Sequence, residues 1–477
     1  MSKKKTDIPY WAKLGHQKPV SRRDFLAAGL LPFVAEMFIP AWWNIFLMPS
    51  KAAAQTALNC AGAGGSQMIP FITVNLAGGA AMMSNYVPMD KGGQPLASYS
   101  KMGLGDGAVP LELEFGGATF AGNLNGALIS KFLEGVRATA AASLANTSFL
   151  GVCVRSRDDS GENNFDVSGM VTKAGLAGSS LPNIGSANTR TGIEQLPSTV
   201  APPSPLFVSS YNSIAGALAF TGSLATLSQP QKDKVAKLIS RLNASQSAKL
   251  IEEPNGSKIK DLLECANIKN EAIVHAGTSN VDPRQNAQVA QVWGINANTG
   301  ANNRDLIFAA MVYNGLLGQA GSVNLNMGGY DYHDNTRTTG NQRDRDAGVL
   351  VGRILETARI LQKPLFLYVT SDGAVVSAES ATDRQSPWTS DRGIAGGSYI
   401  LMYNPSGRVQ TTGFQIGNFT KDQVVDDTFV IGNSAQLAAQ AVFANYLKFN
   451  NKMDLFDKVV LRNGLGTADL NSVIKVA

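Results

Sequence analysis

Histidine and cysteine are both nearly absent, with three of each among 477 residues. The cysteines, Cys60, Cys153 and Cys265, show no metal-type spacing, and an odd number cannot all pair within one chain. One disulfide is open to them in an oxidising compartment, and the sequence does not choose the pair. Of the histidines, His16 lies in the N-terminal leader described below, which leaves His275 and His333. Two imidazoles cannot build a histidine-rich binuclear zinc centre. His275 sits in the apolar run Ala272-Ile273-Val274-His275-Ala276-Gly277 and reads as a hydrogen-bonded core residue. Heptads, fixed-period repeats and recognisable cofactor motifs are missing as well, which excludes a coiled coil and a solenoid and argues against a redox cofactor protein.

The body of the chain also lacks net charge. The whole chain carries +5, but residues 1–54 hold eight of the 41 Lys/Arg and three of the 36 Asp/Glu, so 33 of each remain in 55–477. A nucleic-acid partner would need the basic excess in the folded body, where it could displace counterions from phosphates. Nucleic acid is therefore not an expected partner. At 44% hydrophobic and 16% charged residues, the composition is that of a globular chain with ample core material.

Those first 54 residues read as a twin-arginine signal. A basic start leads to Ser21-Arg22-Arg23-Asp24-Phe25-Leu26, then an apolar run over 25–49, then Lys51-Ala52-Ala53-Ala54-Gln55 with small residues for cleavage. Arg22 and Arg23 are the residues a translocation receptor would read as an address. The run is long enough to span a bilayer, since roughly 20 apolar residues suffice. Pro32, Glu36, Pro40 and Asn44 interrupt it, so cleavage is preferred to a retained anchor. The expectation is a periplasmic or otherwise exported protein, with the twin-arginine translocation machinery as partner and a mature form that does not span the membrane.

From residue 70 onward, short apolar runs alternate with helical periodicity. Strands are expected at 71–76, 147–154, 322–327, 364–370 and 398–403, and helices at 124–146, 304–319, 342–361 and 434–449. Strands that alternate with helices imply an α/β layered fold with a mostly parallel central sheet and helices on both faces. Residues 173–225, rich in Gly, Ser, Pro, Asn and Thr, read as a surface excursion. A helix from about 228 to 242 and a shorter one at 257–267 follow. The expected organisation is a signal over 1–54 and one domain over 55–477, carrying a helical and loop insertion at about 173–270.

In a parallel sheet the ligand crevice lies beyond the carboxyl ends of the strands. Polar residues gather at those places: Arg155-Ser156-Arg157-Asp158-Asp159-Ser160, Gly328-Gly329-Tyr330-Asp331-Tyr332-His333, Ser371-Asp372-Gly373, and Asp391-Arg392-Gly393 before the last strand. Asp331 and His333, two residues apart on a glycine-loosened loop, could both face one metal or one substrate oxygen. Asp372 stands where a strand-end carboxylate would join them. Each aspartate and glycine is also what a turn prefers.

The order Gly78-Gly79, Val87-Pro88, Asn164-Phe165-Asp166, Gly328-Gly329-Tyr330-Asp331-Tyr332-His333, Thr370-Ser371-Asp372-Gly373 and Asp391-Arg392-Gly393 resembles the twin-arginine-exported "domain of unknown function 1501" family, within the alkaline phosphatase/sulfatase-like superfamily. The resemblance spans roughly residues 70–470. It implies an alkaline-phosphatase-like fold in which Asp and His side chains hold one or two metal ions while a Ser or Thr attacks a phosphate or sulfate ester. Carried over, Asp331, His333 and Asp372 are the candidate ligands, Asp391 a further one, and Ser160 the candidate nucleophile, with Ser84, Ser156 and Ser168 as alternatives. Oxygen-rich ligation favours Ca, Mg or Mn over Zn, if a metal is held at all.

Departures from the family pattern are equally specific. Ala81 stands where the first strand's carboxylate is expected, Gly373 and Arg392 where imidazoles are expected, and Asn164 where the family has histidine. Each lost donor typically costs on the order of 100-fold in rate. The expected role is therefore binding or envelope assembly around a degraded metal site, and the rival is a working metal-dependent hydrolase of phosphate or sulfate esters.

Overall fold

The computed structural model describes residues 68–96, 109–122, 130–155, 167–176, 178, 181–186, 206–218, 227–250, 281–332, 337–374, 396–422, 424–460 and 464–477. The strands are β1 (Phe71–Ala77), β2 (Val109–Phe115), β3 (Ala118–Gly122), β4 (Thr147–Val154), β5 (Leu181–Gly185), β6 (Leu206–Phe207), β7 (Ala320–Gly328), β8 (Leu365–Ser371), β9 (Gly396–Tyr403) and β10 (Gln415–Ile416). The main helices are α1 (Lys131–Ala140), α2 (Ser168–Lys173), α3 (Tyr211–Leu218), α4 (Gln229–Leu250), α5 (Ala287–Trp293), α6 (Arg304–Leu316), α7 (Arg337–Ile360) and α8 (Ala435–Phe449).

Eight strands form one sheet in the order β10-β4-β9-β8-β1-β7-β5-β6, and β2 and β3 form a separate hairpin. Strand β9 runs antiparallel to both neighbours, and every other pairing in the large sheet is parallel. The α/β class and the mostly parallel sheet therefore match the reading of the sequence. Strand β1 lies at the centre, between β8 and β7, with Asn75 level with Thr370 on one side and Asn326 on the other.

Period-two alternation sends the two faces of β1 into two cores. Ile72, Val74 and Leu76 pack with Phe132 and Val136 of α1, Leu306 and Met311 of α6, and Val351 and Leu355 of α7. Phe71 packs on the other face with Met170 and Val171 of α2 and Val442, Phe443 and Tyr446 of α8. Helices thus cover both faces, which is why the strands read as nearly continuous apolar runs. Helices α1 and α7 cross closely: a side-chain carbon at Gly348 would meet the Phe132 carbonyl, and one at Gly135 the Arg345 carbonyl.

Three sequence-based expectations change. Residues 181–185 form a strand of the central sheet, buried at 183–185, and Tyr211 and Ile214 of α3 lie in the core, although their surroundings read as surface excursion. The helix expected over 124–146 is, among the described residues, the shorter α1, capped by the Ser130 hydroxyl accepting from the Leu133 N–H. The helix begun at 229 runs on to Leu250. The helix expected at 257–267 lies outside the described residues. Among the described residues, no helix is long and apolar enough to cross a membrane.

Candidate functional site

Strands β1, β7 and β8 are adjacent and parallel, so their carboxyl ends share one edge of the sheet. There Gly78 and Gly79 turn the chain away from β1 at φ 124° and 112°, conformations that only glycine adopts without strain. Two of the sequence-predicted aspartates lie against this turn, one through its carboxylate and one through its backbone and Cβ. Asp372, fully buried just beyond β8, accepts a hydrogen bond on Oδ1 from the Gly78 N–H at 2.7 Å. Asp331, exposed and three residues beyond β7, places its backbone nitrogen 2.8 Å and its Cβ 3.0 Å from where a side chain on Gly78 would begin. Next to them the Ser371 hydroxyl donates to the Leu76 carbonyl at 2.6 Å and accepts from the Ala80 N–H at 2.9 Å. The Tyr330 N–H closes the β7 side on the Ala77 carbonyl at 3.1 Å.

The structure therefore brings Asp331 and Asp372 to one turn. His333, Asp391, Ser160, Ser156, Arg22 and Arg23 lie outside the described residues. Of the alternative nucleophiles, Ser84 is buried and its hydroxyl donates to the Ala81 carbonyl at 2.6 Å, while Ser168 is buried at the start of α2.

Glycine at 373 has a steric reason. A Cβ there would stand 2.7 Å from the Gly79 Cα and 3.3 Å from the Gly78 carbonyl oxygen. The backbone of the β1 turn fills the space an imidazole would need. Ala81, where the family resemblance places a carboxylate, is buried. Among the described residues no group of three or more His, Cys, Asp or Glu could hold a metal ion. At this edge the imidazole position at 373 is closed by the β1 turn, and one oxygen of Asp372 is tied to a backbone amide.

Sequence reading missed two features near this edge. The first lies on the α2 face of the sheet, where Thr73, Asn75, Asn183, Ser322, Asn324 and Thr370 are all buried. The Asn75 amide donates to Asn326 Oδ1 at 2.7 Å, and the Thr172 and Ser322 hydroxyls lie 3.3 Å apart. The signal was present, since Asn disfavours strands yet recurs at alternate positions in residues 320–328.

The second feature is Asp344 of α7, buried on the opposite face. Its Oδ1 accepts from the Tyr332 hydroxyl at 2.9 Å and its Oδ2 from the Asn85 amide at 3.2 Å. The same amide lies 3.1 Å from the Tyr399 hydroxyl of β9, which donates to the Met82 carbonyl, and the Ser130 hydroxyl donates to Asn85 Oδ1 at 3.3 Å. Burial pushes the Asp344 carboxyl up to about 7, against the lowering effect of its bonds to Tyr332 and Asn85. Burial likewise raises the Tyr332 phenol, and the Asp344 charge adds to the effect.

Fold and edge together give a layered α/β protein with two aspartates, Asp331 and Asp372, at the carboxyl ends of its central strands. Compared with protein-family models and with curated proteins, the chain matches none.

Proposed function

We propose that this is an exported protein of alkaline-phosphatase/sulfatase-like ancestry whose metal site has degraded, and that it binds a partner or ligand at the cell envelope instead of hydrolysing esters. The observation that carries the reading is the closure of the β1 and β8 ends upon each other. Gly373 packs on Gly79, which closes the imidazole position, and Asp372 holds the Gly78 N–H through Oδ1, so one oxygen of that carboxylate serves the fold. A buried carboxylate that accepts a backbone N–H gains a charge-assisted bond and commits one of its about four lone-pair sites to it. Asp331 stays exposed beside it as the carboxylate able to meet a ligand. If a cation is held there, oxygen ligation favours Ca, Mg or Mn. Support for export is the run Ser21-Arg22-Arg23-Asp24-Phe25-Leu26 followed by an apolar stretch.

Two experiments test the proposal. Purified mature protein assayed on aryl phosphate and aryl sulfate esters, with Mn, Ca, Mg or Zn added, is expected to show no turnover above buffer. Metal-dependent turnover abolished by Asp331→Ala would replace the reading with that of an active hydrolase. Replacing both Arg22 and Arg23 with Lys should leave the precursor in the cytoplasm, and unchanged export would refute the pathway.

A further inference from the structure

We propose that Asp344 is a proton-operated latch: by binding a proton inside the fold, its side chain locks the loops after β1 and β7 onto helix α7. The latch needs only the geometry around Asp344, and its effect on function rests on the reading of Asp331 as a site residue.

Asp344 sits at the junction of three elements. Tyr332 brings the loop that carries Asp331, and Asn85 brings the loop that follows the Gly78-Gly79 turn. Through Asn85 the junction reaches Tyr399 of β9 and Ser130 at the start of α1. All five residues are buried. Asp344 makes no ion pair with any described residue. The surrounding cations are engaged elsewhere: Arg343 with Asp346 at 4.0 Å and Arg345 with Glu134 at 3.0 Å. Lys131 also pairs with Glu134 at 2.6 Å, and Arg304 pairs with Asp305 at 3.6 Å. The other groups facing the junction, Tyr330, Tyr332 and Tyr399, are phenols raised by burial, so they stay neutral across the physiological range.

Donor arithmetic fixes where the proton goes. The Asn85 amide can only donate, so Oδ2 must remain an acceptor. A hydroxyl can donate or accept, so Tyr332 can turn round when a proton occupies Oδ1. Protonation therefore keeps both hydrogen bonds while removing a buried charge that no ion pair with a described residue offsets. When the loops part and water reaches Asp344, its affinity for protons falls to that of an ordinary carboxyl.

The sign follows from linkage. The closed arrangement binds the proton more tightly, so its advantage is complete below the ordinary carboxyl value of 3.8 and is lost as pH rises to about 7. Between pH 5 and pH 8 the opening equilibrium should rise on the order of 100-fold.

Hydrogen exchange on the purified full chain, corrected for intrinsic pH dependence, reads this directly. Amides of residues 82–87 and 328–332 should open on the order of 100-fold more readily at pH 8 than at pH 5. In Asp344→Asn, whose amide can donate to Tyr332 and accept from Asn85, opening should be the same at both. Loops equally protected at both pH values in the wild type would overturn the latch, as would pH-dependent opening retained in Asp344→Asn. Should that variant not fold, carbon-13 NMR of the wild-type Asp344 carboxyl decides: a midpoint in the ordinary carboxylate range would overturn the proposal. Neither readout depends on metal or turnover, so the latch and the degraded-site reading fail separately.

Discussion

Replacing Asp372 with Ala separates a structural carboxylate from a metal ligand. The side chain is fully buried, and its Oδ1 accepts from the Gly78 N–H at 2.7 Å. Hydrogen bonds to charged groups contribute about 1.5–3 kcal/mol, and the orphaned donor adds a desolvation cost when water cannot reach it. Gly78 is half-buried, so water recovers part of that cost. Asp372→Ala should therefore lower unfolding stability by about 2 kcal/mol, with Asp372→Asn intermediate because an amide oxygen can still accept. Urea denaturation of the purified protein measures this through a lower midpoint at unchanged slope. A chelator added to wild type should not shift the midpoint. If Asp372→Ala proves neutral, or the chelator destabilises wild type as much as the mutation does, the assignment of Asp372 to the fold is wrong.

Two further expectations test the packing. Gly348→Ala gains about 1 kcal/mol of helix propensity, yet its methyl would enter the α1–α7 crossing against the Phe132 carbonyl; overpacking costs typically about 1–3 kcal/mol, so a net loss should appear in the urea midpoint. Gly300→Ala, exposed with no atom near the added carbon, should change stability by less than about 0.5 kcal/mol. Cys153, fully buried and with its thiol pushed up to about 12 by burial, should resist thiol reagents at pH 8 in a Cys60→Ser/Cys265→Ser background and react once urea unfolds the chain.

What could be read from sequence depended on how strongly each segment's pattern was tied to packing. Strand β4 was legible end to end, because eight apolar-rich residues stand between turn signals and both faces are buried. Helix α8 was legible because Asn433 and Ser434 offer caps before a long apolar-rich run, and in the structure the Ser434 hydroxyl accepts from the Leu437 N–H. Strand β5 was hidden because Leu181-Pro182-Asn183-Ile184-Gly185 carries proline, asparagine and glycine, which signal turns, and pairing with β7 and β6 makes it a strand. The reversed direction of β9 left no trace, since alternation is the same for parallel and antiparallel strands.

At the carboxyl edge, the positions of Asp331 and Asp372 were legible because strand ends were the places to look, and both lie against Gly78. Asp344 was not. It stands in Arg343-Asp344-Arg345-Asp346, a stretch that reads as a solvated helix face. Helical spacing held the missing signal: Asp344 precedes Ala347, Val351 and Leu355 at three, seven and eleven residues, and those three line the core. Nor did sequence reveal that Gly373 is glycine because Gly79 crosses it; that contact exists only once β1 and β8 pair.

Metal content of the purified protein bears most directly on the proposal that the carboxyl edge of the sheet has given up its metal centre. Elemental mass spectrometry after purification without chelator should find Zn, Mn, Mg and Ca far below one ion per chain. One or two tightly held ions per chain, lost together on Asp331→Ala, would contradict the account.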